Sequence, residues 1–146
     1  MTLSMDIGEL RLRSGAVLPQ VQVAYSCRGR LAPAGDNAIL VTHGFTSAHT
    51  MIEPGHITAE GSWADLVGPG RPLDTERFFV VCSNMLGSAF GTTGPRSIAP
   101  ATGKPYGPDF PDIRLADIVE VQHRLLRALG VTRLRAVIGP SYGGVQ

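Results

Sequence analysis

Ala136-Val137-Ile138 followed by Gly139-Pro140-Ser141-Tyr142-Gly143-Gly144 decides how the rest of the chain is read. A short apolar run passes straight into a Gly-x-Ser-x-Gly turn, the pattern of a buried strand delivering a serine into a strained strand-to-helix bend. Glycines on either side let neighbouring chain pass close, so the hydroxyl projects outward instead of packing. That chemistry points to acyl transfer or ester cleavage. With 18 glycines among 146 residues, a glycine-rich turn of no chemical role is the competing explanation. The apolar run before the motif and the second glycine after it favour the nucleophile.

Working outward, Leu134 to Ile138 reads as a strand covered on both faces, and Ala38-Ile39-Leu40-Val41-Thr42 and Phe78-Phe79-Val80-Val81-Cys82 repeat the pattern. Residues 7–13 and 20–27 instead alternate apolar and polar, predicting a half-exposed antiparallel pair turned at Ser14-Gly15. Between the apolar strands, Leu115, Ile118, Val121, Leu125, Leu126 and Leu129 recur at spacings of three and four, so one face of a helix from Leu115 to Leu129 is apolar. Pro111 and Asp112 suit its entry and Gly130 its C-terminal cap. A short helix is expected over Ser62 to Val67, and Ser83 to Pro111 shows little periodicity. A loop that long is uncommon unless it is functional. The expected fold class is α/β, a mostly parallel sheet with antiparallel N-terminal strands, and Ser141 follows its fifth strand.

Composition bounds the partners. A hydrophobic share of 43% with 17% charged residues is that of a globular chain. The formal charge of +1, with both signs spread along the sequence, argues against nucleic-acid and membrane partners. No stretch approaches the ~20 apolar residues of a bilayer span. The start, Met1-Thr2-Leu3-Ser4-Met5-Asp6, has no signal-peptide pattern, so the expectation is cytoplasmic. Cys27 and Cys82 lie in expected strands as reduced thiols, and no metal spacing appears.

A serine nucleophile needs a base, an orienting acid, oxyanion donors and a pocket. Ser141 is the candidate nucleophile, the backbone N–H of Tyr142 one donor and the backbone N–H of Phe45 the other, in the loop His43-Gly44-Phe45-Thr46. In this chain order the acid and base follow the serine, so His43 is read as support for that loop. His49, His56 and His123 are read as loop or surface residues, and Asp65, Asp74, Asp109 and Asp117 as helix or turn residues. Arg71 and Lys104 are read as solvated, and Tyr142 as a residue able to line the acyl pocket.

Further segments carry a resemblance. The run from Pro69 to Asn84, Gly91-Thr92-Thr93-Gly94-Pro95, and Pro100-Ala101-Thr102-Gly103-Lys104-Pro105-Tyr106-Gly107-Pro108-Asp109-Phe110-Pro111 resemble the homoserine O-acetyltransferase family of α/β-hydrolase-fold enzymes. The likeness covers most of the chain from about Leu40 onward. It implies ping-pong acyl transfer through Ser141 from acetyl-CoA to the hydroxyl of L-homoserine, in methionine synthesis. No bound cofactor is implied, and a homodimer is compatible. Asn84 and Thr92 are carried over as substrate-pocket candidates. The family usually reads His-Ala-Leu-Thr-Gly and Gly-Gly-Ser-Met-Gly-Gly where this chain has His43-Gly44-Phe45-Thr46-Ser47 and Gly139-Pro140-Ser141-Tyr142-Gly143-Gly144. Phe45 and Tyr142 therefore enlarge the walls beside the acyl group. The resemblance also implies that residues 1–146 form the N-terminal part of a single α/β-hydrolase domain. The C-terminal half, with the triad histidine and aspartate, would be absent and these 146 residues inactive alone. The alternatives are an esterase on the same scaffold and a catalytically incomplete fragment or binding module.

Overall fold

In the computed structural model, which describes residues 1–56 and 61–146, five strands form one mixed sheet. They are β1 (Leu3–Asp6), β2 (Gln22–Arg28), β3 (Ala38–Thr42), β4 (Phe79–Ser83) and β5 (Leu134–Ile138), in the spatial order β1-β2-β4-β3-β5. β1 and β2 are antiparallel, as are β2 and β4, whereas β3 runs parallel to both β4 and β5. The apolar strands are thus the parallel ones, as their composition requires.

Successive residues of β3 and β4 feed opposite faces of the sheet. Leu40 and Val81 join one core cluster together with Val23, Tyr25, Ile118, Val121 and Leu125. Val41, Val80 and Cys82 join the other with Met51, Ile52 and Val67. The helix α1 (Leu115–Ala128) supplies the cover of the first face. Its Ile118, Val121, Leu125 and Leu126 are buried, each contributing roughly 1.5–3 kcal/mol relative to exposure. α1 ends where Gly130, at φ +84°, lets its amide reach the Arg127 carbonyl and the Val131 amide reach that of Leu126. Those two bonds close the helix as a Schellman motif.

Several sequence expectations need correcting. Residues 7–13 are not one strand, because Gly8 at φ +77° breaks the run and its amide donates to Asp6 Oδ1 at 2.8 Å. The partner of β2 is the earlier segment Leu3–Asp6, and Leu10–Arg11 pairs separately with Val17–Leu18. The short helix expected over Ser62 to Val67 is one 3₁₀ turn, Ala64–Leu66. The β4 strand begins at Phe79, one residue later than its apolar run suggests. β5 is half covered: Arg135 and Val137, which share one face of the strand, are exposed, whereas Leu134, Ala136 and Ile138 on the other are partly buried. No helix among the described residues is long and apolar enough to cross a membrane.

Candidate active site

β5 hands the chain to Pro140, extended at φ −84° and ψ 158°, and then to Ser141 at φ +52°. Among the described residues Ser141 is the only non-glycine with positive φ. That conformation costs of order 1–3 kcal/mol for an L-residue and persists where the surroundings enforce it. The surroundings here are the end of β3. A Cβ on Gly139 would lie 2.2 Å from the Thr42 carbonyl oxygen, and one on Gly143 would lie 2.1 Å from the same atom. Both glycines are therefore required by close approach. The Thr42 hydroxyl donates to the Gly143 carbonyl at 2.7 Å, with the Ile138 carbonyl 3.2 Å away. The Gly143 amide closes the turn on the Pro140 carbonyl at 2.8 Å. Ser141 itself is exposed, so strain is held by buried backbone while the hydroxyl stays accessible.

The loop after β3 lies against this turn. Phe45 is exposed, and its ring meets the Tyr142 ring edge-to-face at 6.1 Å and 89°. The Phe45 amide donates to no acceptor among the described residues. Tyr142 stands second in the 3₁₀ turn Ser141–Val145, a position whose amide precedes the first bond the turn can make within itself. Both candidate oxyanion donors thus belong to segments joined through their own side chains.

His43 holds the loop in place. It is fully buried, its Nε2 accepts the Met85 amide at 3.0 Å, and Nδ1 lies 2.8 Å from the Gly44 carbonyl. An Nε2 that accepts leaves the proton on Nδ1, which donates to Gly44. Burial pulls the imidazole below its ordinary pKa, only partly opposed by the bond to Gly44. This ring is neutral and saturated, and serves as support. The same Met85 lies beside Gln146, whose amide donates to the His43 carbonyl at 3.2 Å.

His49, read as a loop or surface residue, lies in a connecting turn and is buried there. It sits buried in the 3₁₀ turn His49–Ile52, which packs under β2 and β4, with Nε2 2.9 Å from the Thr2 hydroxyl. A single 3₁₀ turn has no periodicity from which sequence could have placed it. His56 and His123 are exposed. Cys27 and Cys82 are both free thiols. Asp117 is buried and structural: its carboxylate accepts the amides of Arg114 at 2.8 Å and Arg13 at 2.9 Å.

A cavity of about 400 Å³ opens beside the elbow, walled by Phe45, Leu86, Phe90, Ile113, Ile118 and Tyr142, with Arg114 at its lining. The long segment after β4 makes much of that wall, as its length suggested. Neither Asn84 nor Thr92 lines the cavity. Asn84 is fully buried and donates to the hydroxyl of Ser88, itself a wall residue. Thr92 Oγ1 accepts the Ala24 amide and donates to the Asn84 carbonyl, both at 3.0 Å, stitching the loop to β2. Both residues stand behind the wall. Leu86, Ile113 and Ile118 went unread as wall residues, because nothing in their spacing distinguishes a cavity from a core.

The chain is similar to known proteins along most of its length. The family described as alpha/beta hydrolase fold matches residues 37–146. A homoserine O-acetyltransferase of Moorella thermoacetica is 55% identical over 141 residues, covering 94% of this chain and 37% of that protein. Among solved structures, esterase E22 superposes with a TM-score of 0.87 at 35% identity, covering 100% of this chain and 42% of the other. Homoserine O-acetyltransferase from Bacillus anthracis superposes at 0.86 with 32% identity, covering 99% and 40%. The chain spans well under half the length of these relatives.

Proposed function

Because this chain belongs to the alpha/beta hydrolase fold family, we propose that it supplies the nucleophile and oxyanion loops of a serine O-acyltransferase, passing an acetyl group from acetyl-CoA to L-homoserine. One observation carries the reading: Ser141 is exposed at φ +52°, at the end of a parallel strand, on a turn that Thr42 and two glycines force. The likeness to proteins named homoserine O-acetyltransferase supports the substrate pair.

In this mechanism Ser141 Oγ attacks the thioester carbonyl and its proton passes to a histidine in the remaining polypeptide. The carbonyl oxygen gains negative charge, met by the Phe45 and Tyr142 amides. Such donors are worth about 3–4 kcal/mol each in the transition state. Collapse breaks the C–S bond, and the CoA thiolate leaves with the proton. The homoserine hydroxyl then attacks the acyl-Ser141 ester, giving its proton to the same base, and Ser141 recovers a proton as its C–O bond breaks. In this reading residues 1–146 are the N-terminal part of one domain, and the enzyme works in the cytoplasm in methionine synthesis.

The likeness to esterase E22 favours a second reading, in which water takes the acyl group. Transferase and esterase use the same nucleophile, so the acceptor decides. Incubating the complete enzyme with acetyl-CoA, with and without homoserine, separates them. O-acetylhomoserine formed in step with free CoA is the expected result. CoA release indifferent to homoserine establishes the esterase, and release unaffected by Ser141→Ala removes both.

A further inference from the structure

We propose that Gln146 is a positioning residue for the oxyanion hole. Its side-chain amide ties the loop that carries the Phe45 donor to the turn that carries the Tyr142 donor, and Gln122 sets which way that amide faces. The inference rests on the reading that Ser141 attacks an acyl carbonyl, and deepens it by naming what fixes the two donors relative to each other.

Gln146 belongs to the elbow, where its backbone amide approaches the Gly143 carbonyl at 3.4 Å. Its Nε2 donates across to the His43 carbonyl at 3.2 Å and lies 3.0 Å from Met85 Sδ. That carbonyl sits in the peptide group joining His43 to Gly44. The next peptide group joins Gly44 to Phe45, and its carbonyl is held by His43 Nδ1 at 2.8 Å and by the Ser47 amide at 3.2 Å. In a trans peptide the N–H points opposite to the C=O, and no cis bond occurs among the described residues. Holding the Gly44 carbonyl therefore aims the Phe45 N–H. Neither of those two bonds reaches the elbow. Beyond the paired strands, the Thr42 hydroxyl on the Gly143 carbonyl is one link between loop and turn. One link leaves a swing about it, and the Gln146 bond is the second.

A glutamine amide can be turned over, but a carbonyl only accepts, so Nε2 must be the end that meets His43. Gln122 enforces this choice. It is buried on α1, and its Nε2 donates to Gln146 Oε1 at 2.5 Å. Turning the Gln146 amide over would set NH₂ against NH₂ on one side and oxygen against oxygen on the other. Packing alone gives no reason for an amide at position 122, because its neighbours on α1, Ile118, Val121 and Leu125, are buried apolar residues. An apolar side chain there would have no polar group to satisfy.

Negative charge appears on the substrate oxygen only as Ser141 attacks, so a displaced donor lowers the rate and leaves ground-state binding alone. A trifluoromethyl ketone analogue of acetyl-CoA, trifluoroacetonyl-CoA, reads that state directly. Ser141 Oγ bonds to the ketone carbon, the carbonyl π pair moves to oxygen, the serine proton passes to the histidine base, and nothing leaves.

In the complete enzyme, Gln146→Met, which removes the donor at similar size, is expected to lower kcat about tenfold or more while KM for acetyl-CoA stays within about twofold. It weakens the ketone adduct by the factor lost in kcat, and leaves acetyl-CoA binding to the Ser141→Ala enzyme unchanged. Gln122→Met acts in the same direction to a smaller extent. The double variant loses little more than Gln146→Met alone, because the two amides act as one unit. Either single variant decides the matter where the other fails to fold. A lower melting temperature with kcat and adduct affinity kept overturns the inference, as does acetyl-CoA binding that falls along with them. A tight adduct that needs Ser141 but not Gln146 removes this inference alone. An analogue bound no more tightly by the parent than by Ser141→Ala removes the proposed function, and this inference with it.

Discussion

Thr42 and Gly143 are locked together: the Thr42 hydroxyl donates to the Gly143 carbonyl at 2.7 Å, while its own carbonyl oxygen fills the space where a Gly143 side chain would begin. This contact joins the end of β3, which leads to the candidate oxyanion loop, to the turn bearing the candidate nucleophile. Position 143 therefore answers to sterics on one side and to chemistry on the other.

Gly143→Ala should destabilise the enzyme by about 3 kcal/mol or more, at or above the usual cost of overpacking, because the clash is with backbone that cannot rotate away. Gly144→Ala places its Cβ 3.2 Å from the Gly139 carbonyl oxygen, so a shift of a few tenths of an ångström accommodates it at smaller cost. Denaturant melts of both variants check the order. Equal losses would show that Thr42 does not constrain the turn.

Ser141→Gly should be more stable than the parent by about 1 kcal/mol, since glycine adopts φ +52° without strain. The same variant should lose acyl turnover by at least about 1,000-fold. Thermal melting beside an acetyl-CoA assay reads both. A variant that gained nothing in stability would show that the positive φ stores no strain.

Phe45→Ala should keep most of the catalytic rate, because the proposed donor is the backbone amide, which survives the change. Its effect should fall on acyl-chain selection, because the Phe45 ring walls the cavity and meets the Tyr142 ring edge-to-face at 6.1 Å. Comparing kcat/KM across acetyl, butyryl and hexanoyl donors tests this: longer chains should gain relative to acetyl. A uniform loss across the series would place the ring in binding every substrate.

Stability should fall as pH drops below about 6.5, the ordinary histidine pKa. Burial lowers the pKa values of His43 and His49 in the fold. Below 6.5 the unfolded chain therefore takes up protons that the folded chain refuses, and each histidine costs up to about 1.4 kcal/mol per pH unit until its folded pKa is reached. Above 6.5 both states are neutral and the dependence vanishes. His43→Gln should flatten part of the slope in denaturant melts between pH 7.5 and 5. An unchanged slope would show that His43 does not contribute to it.

Asp117→Ala should cost about 1–3 kcal/mol, because the Arg13 and Arg114 amides lose the buried carboxylate that accepts from both. Chemical denaturation with helix content followed by circular dichroism should show the loss. A neutral result would mean that water replaces the carboxylate.

Elements marked by a short apolar run or by a helical period were legible one residue at a time. Ala38–Thr42 and Leu134–Ile138 lie where their apolar runs begin and end, and α1 stops within one residue of its periodic face. Elements made by a neighbour were not. β1 is short and takes its register from β2, and Arg135 and Val137 share a face of β5 that stays exposed, which the apolar run did not signal. His43 was legible as a support because triad order placed the base elsewhere. His49 was not, since its burial depends on strands more than twenty residues away on either side.

By itself, the order of residues determined the strand-to-turn motif at Ser141, the parallel core strands and the amphipathic helix, because each follows from local periodicity and from what glycine alone permits. Tertiary structure decided why those glycines are needed and where the cavity lies. Those depend on Thr42, Phe45 and the 85–90 and 113–118 segments meeting in space, and contacts between distant segments leave no period in the chain.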